Sequence, residues 1–238
     1  MNIYQYWDNP LKASDLIRMC MESVPRNNPS HNITQIWDGE GDHCRRMCDQ
    51  YSIPPDKVFA MKPQHRADLM RLYLLSCASP QTVNCWLDSD YLSFNQLDEA
   101  EHTPKDANTV VMVMGHDTRP CNDHMSMGTN MAHQLLQGAI IKLETCDWQI
   151  SWHEIGADLL DALHPEHKRM LIPDKHSWGR MFNLDLELPH ESWKPHPAIV
   201  GMMVMNSKSG TYLADKSKDE LLKGENIIGA CLRHAFRG

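Results

Sequence analysis

The sequence lacks the features that would place the protein in a membrane or send it out of the cell. No run of about 18 or more apolar residues is present, the length that a helix needs to cross a bilayer. The first residues do not show the charged and then apolar pattern of a signal peptide. We therefore expect a cytoplasmic protein without a membrane span.

An excess of basic residues is also missing. The chain has 31 aspartates and glutamates against 23 lysines and arginines, so its formal net charge is −8 with neutral histidines. Proteins that bind nucleic acid or anionic membranes over a broad surface usually carry the opposite charge. The net charge therefore does not favour a nucleic-acid partner, although it does not exclude local basic patches.

The eight cysteines lack the dense spacing of a small disulfide-rich secreted domain. There is no C-x-x-C pair and no recognisable spacing of four zinc ligands. Two groups of histidine and cysteine still invite a metal hypothesis: His43, Cys44 and Cys48, and His116, Cys121, His124 and His133. Without a ligand spacing, the favoured interpretation of both groups is core thiols and surface histidines.

The order of predicted elements is typical of an α/β protein. At 238 residues the chain is long enough for one sizeable core. Aromatic and β-branched residues predict strands over 1–7 and 31–37, and helices are predicted over 14–23 and 42–51. This alternation is expected of a parallel sheet. We predict one domain, 1–238, with a mostly parallel central sheet flanked by helices.

A helix, a turn, a short strand and two carboxylates follow one another over 67–94. Residues 67–76 contain no Pro or Gly and favour a helix that carries Asp68 and Arg71 on one face. Residues 83–87 predict a buried strand. If the extended path continues beyond it, Asp88 and Asp90 project the same way, because alternate side chains of a strand do so.

Two carboxylates at the carboxyl end of a strand suit a divalent metal ion. Open α/β sheets bind ligands at this edge, and paired carboxylates are typical ligands of Mg²⁺ or Mn²⁺ carrying a diphosphate. The D-x-D string alone is a weak motif, since a solvated acidic turn has the same letters. Its position after the helix of Asp68 and Arg71 favours the metal interpretation.

The string A-D-L-M-R-L-x-L-L, a turn and then W-L-D-S-D-Y resembles the core of retaining, metal-dependent glycosyltransferases of the GT-A fold. That group includes initiating mannosyltransferases of the yeast type, capsular-polysaccharide transferases and glucosylating toxins. The resemblance implies a nucleotide-sugar donor, with a UDP-sugar favoured, and Mn²⁺ or Mg²⁺. It implies that Asp68 and Arg71 contact the donor and act in catalysis, and that Asp88 and Asp90 hold the metal. The turn over 78–82 departs from the family's usual Gly-Gly.

Weaker matches flank that core in the same order along the chain. Ile3-x-x-x-Trp7 resembles the end of the family's first strand, which makes Trp7 a candidate platform for the base of the donor. A strand predicted over 109–114 is followed by His116 and Asp117, where the family has residues that contact the sugar or the acceptor. Asp117 is therefore a catalytic candidate by position.

The last residues are predicted to form a helix over 218–223 and a strand over 227–234. Residues 230–238 resemble the family's closing A-x-H-x-W/F-x-G-S-W string as far as its glycine. The resemblance implies that His234 reaches the metal or the diphosphate. Arg233 or Arg237 is a candidate to neutralise phosphate, as arginine commonly does.

We therefore predict a metal-dependent glycosyltransferase, with 1–95 as the half that binds the nucleotide sugar and 96–238 as the acceptor side with the C-terminal tail. The acceptor is open between a glycan, a protein side chain and a modified nucleic-acid base. One alternative is a phosphatase of the haloacid-dehalogenase type, which also has D-x-D after a buried strand but on its first strand. Another is a non-catalytic domain that binds a nucleotide or carbohydrate and whose acidic pair is inert.

Overall fold

The structure, a computed structural model, describes residues 1–114, 120–151, 154–176, 195–204 and 213–237. Asp117 and His116 therefore lie outside the described residues, and their predicted roles stay predictions. Among the described residues, no helix is both long and apolar enough to span a membrane.

Eight strands are present in the described part of the chain: β1 Asn2–Trp7, β2 Asn32–Trp37, β3 Asn84–Leu87, β4 Tyr91–Ser93, β5 Val110–Met114, β6 Pro120–Met127, β7 Lys168–Leu171 and β8 Gly201–Met203. Six of them form the central sheet in the order β2-β1-β3-β6-β5-β7, and β4 pairs with β8 in a separate two-stranded sheet. Within the central sheet only β6 runs antiparallel to its neighbours. The predicted mostly parallel sheet is confirmed.

Helices surround the sheet: α1 Asp15–Asn27, α2 Asp42–Tyr51, α3 Pro55–Ala60, α4 Pro63–Ser76, α5 Glu99–His102, α6 Thr129–Thr145, α7 Ala157–Asp161, α8 Pro173–His176, α9 Lys218–Lys223 and α10 Ile227–Ala235. Short 3-10 helices cover Pro10–Lys12 and Pro165–His167. The Ser14 side chain caps α1 by accepting from the amide of Ile17, as an N-cap serine is expected to do. Thus α2 and α9 lie where they were predicted, and α1 begins where it was predicted.

Two predictions about secondary structure were wrong. The first helix does not end at residue 23 but continues through Pro25 to Asn27. Residues 227–234 form most of α10 rather than a strand. The side chain of Asn226 caps this helix by accepting from the amide of Gly229, and that cap outweighs the β-prone letters of a short apolar run.

The two faces of the sheet bury different sets of side chains. Tyr6 of β1 and Trp86 of β3 pack with α2, α4 and α6 in one core cluster, while Ile3 and Cys85 belong to a cluster on the opposite face. This division follows from the alternation of side chains along a strand. It means that β3 can present Trp86 to α4 and Cys85 to the other side of the sheet.

Candidate active site

A buried arginine links two aspartates between α4 and the end of β3. Arg71 Nη1 donates to Asp68 Oδ1 at 3.0 Å, one helical turn away, and Arg71 Nη2 donates to Asp88 Oδ1 at 2.8 Å. The predicted pairing of Asp68 and Arg71 on one face of the helix is therefore confirmed. The guanidinium joins the helix to the first aspartate of the D-x-D string, which the spacing did not predict.

The Trp86 side chain contacts both Asp88 and Arg71. Its indole Nε1 donates to Asp88 Oδ1 at 2.5 Å, and the Arg71 guanidinium carbon lies 5.2 Å from the centre of its ring. Both hydrogen bonds to the Asp88 side chain thus reach Oδ1. Among the described residues no hydrogen bond reaches Oδ2, which is available to a ligand.

The two aspartates of the motif lie in a turn and not on an extended strand. β3 ends at Leu87, and the amide of Tyr91 donates to the carbonyl of Asp88 at 3.0 Å. The condition under which Asp88 and Asp90 were expected to project the same way is therefore not met. Asp88 accepts a hydrogen bond from Arg71 on the α4 side. Asp90 instead acts on α1: burial raises the pKa of the Cys20 thiol in that helix, and the charge of Asp90 raises it further.

Asp68 has an unusual electrostatic environment. Burial raises the pKa of its carboxyl to about 6, against the opposing effect of the Arg71 charge and the hydrogen bonds it accepts. One of those bonds comes from Asn122 Nδ2 of β6 at 2.7 Å. Burial of the carboxylate thus outweighs an ion pair that would by itself lower its pKa.

Asn122 and Gly156 complete a small cleft beside Asp68 and Arg71. A Cβ added at Gly156 would lie 2.3 Å from Asn122 Nδ2, so any other residue there would displace the amide that holds Asp68. Sequence analysis identified neither residue as part of the site. The sequence signal for Gly156 was a glycine directly before a short helix, which is too common to be diagnostic.

Trp7 is the last residue of β1, as predicted, and it is half-buried. Its indole Nε1 donates to the carbonyl of Asn9 at 2.7 Å. Tyr4 pairs with Trp86 in the parallel register of β1 and β3, so the end of β1 and the turn after Leu87 lie at the same edge of the sheet. The carboxyl ends of these strands therefore bring the ring to the edge that holds the D-x-D turn.

Two of the C-terminal candidates, Arg233 and His234, lie on α10. Arg233 Nη1 donates to the carbonyls of Leu222 and Gly224 at 2.6 and 2.7 Å, which fastens α10 to the end of α9. The His234 ring stands edge-on to Phe94 at 5.5 Å, and burial lowers its pKa. Among the described residues no hydrogen bond joins His234 to Asp88 or Asp90.

The two metal hypotheses based on cysteine spacing are not supported by the described residues. Cys44 and Cys48 are buried core thiols as expected, and Cys44 Sγ lies 3.3 Å from the Tyr6 hydroxyl. His133 Nδ1 lies 3.1 Å from the hydroxyl of Tyr51, away from His124. The expectation of a surface histidine was wrong for His124, which is fully buried.

Solved glycosyltransferases share the fold of this chain. The galactosyltransferase LgtC, solved with donor and acceptor sugar analogs, matches with a TM-score of 0.50 and 12% identity over 74% of this chain and 75% of LgtC. GlyE of Streptococcus pneumoniae TIGR4 matches with a TM-score of 0.57 and 11% identity over 100% of this chain, which spans 60% of GlyE. A glycosyltransferase involved in glycosylation of the PBCV-1 major capsid matches with a TM-score of 0.50 and 12% identity, over 74% and 83% of the two chains.

No protein-family model matches the chain, and no curated protein matches it either. At 11 to 12% identity the structural likeness establishes the fold. The predicted α/β architecture, a mostly parallel six-stranded sheet flanked by helices in the manner of GT-A glycosyltransferases, is confirmed.

Proposed function

We propose that this protein is a metal-dependent, retaining glycosyltransferase that takes its sugar from a nucleotide-sugar donor, with a UDP-sugar favoured. The observation that carries the proposal is the Asp68–Arg71–Asp88 bridge at the carboxyl end of β3. This is the edge of an α/β sheet at which ligands bind, and the sheet belongs to a fold shared with solved glycosyltransferases. The acceptor stays open between a glycan, a protein side chain and a modified nucleic-acid base.

Asp88 and Asp90 are the proposed ligands of Mn²⁺ or Mg²⁺. Both aspartates are half-buried, and Oδ2 of Asp88 accepts no hydrogen bond among the described residues, so this oxygen is open to a hard cation. A bound ion supplies charge that offsets the negative charge developing on the leaving diphosphate. His234 is proposed as a further ligand on the resemblance of the C-terminal string alone.

The chain's own residues bind and orient the donor in this proposal. Arg71 is held by two carboxylates and the Trp86 ring, so its position is fixed before a substrate arrives. Its Nε is buried without a hydrogen-bond partner among the described residues. Asp68 accepts hydrogen bonds and is positioned to orient a sugar hydroxyl beside the cleft, with Asn122 keeping its carboxylate in place.

Three further roles complete the proposal. Trp7 stacks on the base of the donor, because it lies at the same sheet edge as the D-x-D turn. Arg233 faces the phosphates, although its Nη1 also fastens α10 to α9. Asp117 acts on the acceptor side by its position after β5. The 1–95 and 96–238 halves keep their proposed division between donor and acceptor.

The position of the motif argues against the phosphatase alternative. A phosphatase of that type has D-x-D after its first strand, whereas here it follows β3, which lies beside β1 in the sheet. The non-catalytic alternative makes a different experimental prediction, because an inert acidic pair would not couple nucleotide binding to a metal ion.

Calorimetric titration of UDP with and without Mn²⁺ tests the metal site. Asp88→Asn and Asp90→Asn should each weaken Mn²⁺-dependent UDP binding by tenfold or more, about 1.4 kcal/mol, while the exposed Asp49→Asn should leave it unchanged. Asp88→Asn should also lose about 1 kcal/mol of stability, because Asp88 accepts bonds from Arg71 and Trp86. If UDP affinity depended neither on Mn²⁺ nor on these substitutions, the metal-site assignment of Asp88 and Asp90 would be wrong.

A screen of sugar nucleotides for slow donor hydrolysis tests the transfer activity without needing an acceptor. The expected result is Mn²⁺-stimulated release of nucleotide from one donor class, lost in Asp88→Asn and kept in Asp49→Asn. Metal-dependent UDP binding with no hydrolysis of any donor would instead favour the non-catalytic binding domain.

A further inference from the structure

A second group of ligand-type side chains lies in the interior, away from the acidic edge. Cys85 of β3, His102 of α5 and His124 of β6 are each 0% exposed. One ligand atom from each, the cysteine sulfur and a ring nitrogen of both histidines, lies within 4.8 Å of the other two. Three such atoms converging at fully buried residues need a physical explanation, because buried polar groups are normally paired.

Hydrogen bonds assign the tautomers of the two histidines. His102 Nδ1 lies 2.8 Å from the carbonyl oxygen of Asp98, and His124 Nδ1 lies 3.2 Å from that of His176. A carbonyl oxygen only accepts, so each Nδ1 carries the hydrogen and each Nε2 of a neutral ring keeps a lone pair.

The two Nε2 atoms face each other at 2.8 Å. Two lone pairs at that distance repel, so neutral rings cannot make this contact a hydrogen bond. An added proton would place a charge between two fully buried rings, which is costly. A cation bound by both nitrogens removes the conflict. Donation of the other ring N–H to a backbone carbonyl is also the usual support of a metal-binding histidine.

His176 of α8 lies against the same group. Its ring stands edge-on to the rings of His102 and His124, with centres 5.2 and 5.6 Å apart. Its Nε2 lies 3.0 Å from a carboxylate oxygen of Glu101. Its Nδ1 is buried and without a hydrogen-bond partner among the described residues.

We propose that Cys85, His102 and His124 bind a Zn²⁺ ion, and that the adjacent His176, which lies outside that 4.8 Å group, turns its ring to supply the fourth ligand. One thiolate and three imidazoles are a zinc-type donor set, whereas Mg²⁺ and Ca²⁺ prefer oxygen. Two nitrogens bound to a tetrahedral zinc ion at about 2.0 Å lie about 3.3 Å apart, so the two rings separate by about 0.5 Å on binding. The ion also supplies the counter-charge that a buried thiolate needs.

The site is structural and is linked to the acidic turn. His124 pairs with Leu87, the residue before Asp88, and its ring packs edge-on against Tyr91 at 5.1 Å. The ion would hold the four-residue helices α5 and α8 to β3 and β6. This proposal does not depend on glycosyl transfer, since its ligands are distinct from Asp68, Arg71, Asp88 and Asp90.

Metal analysis of the full chain purified from zinc-supplemented cells is the first test. We expect about one zinc per chain by mass spectrometry of the metal content. Protein grown with cobalt should show a thiolate-to-cobalt charge-transfer band and the visible bands of a tetrahedral ion. Less than about a fifth of a zinc per chain, with no charge-transfer band in the cobalt protein, would overturn the proposal.

Matched variants identify the ligands. Cys85→Ser should abolish the charge-transfer band, and His102→Gln and His124→Gln should each reduce the zinc content at least tenfold. Cys231→Ser, also at a 0% exposed cysteine, and His133→Gln should retain both zinc and the band. Zinc and the band surviving in Cys85→Ser would exclude the thiolate and overturn the assignment.

A measurement on the unaltered chain covers the case in which the variants fail to fold. A strong zinc chelator should lower the melting temperature by roughly 5–10 °C, the shift expected when a ligand at about 100 times its dissociation constant is withdrawn. Zinc should restore the melting temperature and Mn²⁺ should not. If the protein contained no zinc and its melting temperature did not respond to the chelator, the zinc site would be refuted. The contact between His102 and His124 would then be explained by a shared proton.

Discussion

Two polar clusters occupy opposite sides of β3 and solve the burial of charge in different ways. The cluster of Asp68, Arg71 and Asp88 pairs two carboxyl groups with one guanidinium beside a cleft. The cluster of Cys85, His102 and His124 is fully buried and has no internal counter-charge. The comparison teaches that the first cluster holds its charges by pairing them within the protein, whereas for the second we propose that a bound cation supplies the charge.

The largest effect is expected from removing the arginine of the first cluster. Arg71→Ala leaves Asp68 buried beside Asp88 without a positive partner, and loss of one member of a buried ion pair costs about 3–5 kcal/mol in the free energy of unfolding. Urea denaturation monitored by fluorescence measures this loss.

A matched control for this change is Arg45→Ala. Arg45 also lies three residues after an aspartate on a helix, but the pair is exposed and its atoms are 3.6 Å apart, so its loss should cost under about 1 kcal/mol. If the Arg71 variant lost no more stability than the Arg45 variant, the buried bridge would contribute nothing to the fold.

The next effect concerns the pH dependence of stability. The pKa of Asp68 is about 6 in the folded chain and 3.8 without burial, so the folded state binds its proton more tightly. The stability that this difference provides is full below about pH 4 and is lost as the pH rises through 6, by about 3 kcal/mol.

Substitution by asparagine isolates this contribution. The stability of the unaltered chain relative to Asp68→Asn should fall between pH 4 and pH 7, since asparagine does not titrate. Denaturation at four pH values across that window measures the change. A constant difference across it would show that Asp68 has an ordinary pKa, and the raised value would be wrong.

A smaller effect is expected at the outer end of β1. Trp7→Ala should weaken UDP binding by roughly 1–3 kcal/mol, the range for stacking of a base on an aromatic ring, with little loss of stability because Trp7 is half-buried. Titration of UDP with fluorescence detection measures the affinity of each variant.

Trp37 provides the control for Trp7. It is the register partner of Trp7 on β2, is also half-buried, and lies one strand farther from the D-x-D turn. Trp37→Ala should leave UDP affinity unchanged. Equal losses in the two variants would mean that the tryptophans act through the strand edge and not by stacking on a base.

Local signals predicted most of the elements around the acidic cluster. The cap at Ser14, the helix over 42–51 and the strands on either side of them were visible because each depends on neighbouring residues. The helix over 227–235 was predicted as a strand because a short apolar run fits both structures. The cap at Asn226 was the signal that would have corrected it.

The sequence by itself determined most of the elements. It also determined the pair Asp68 and Arg71, because helical residues three apart necessarily share a face. Only the tertiary structure decided that Arg71 reaches Asp88 and that the two motif aspartates lie in a turn. Only it brought Cys85, His102 and His124 together, since they come from two strands and a short helix. The pairing of β3 with β6 sets that contact, and no local spacing encodes a pairing between distant strands.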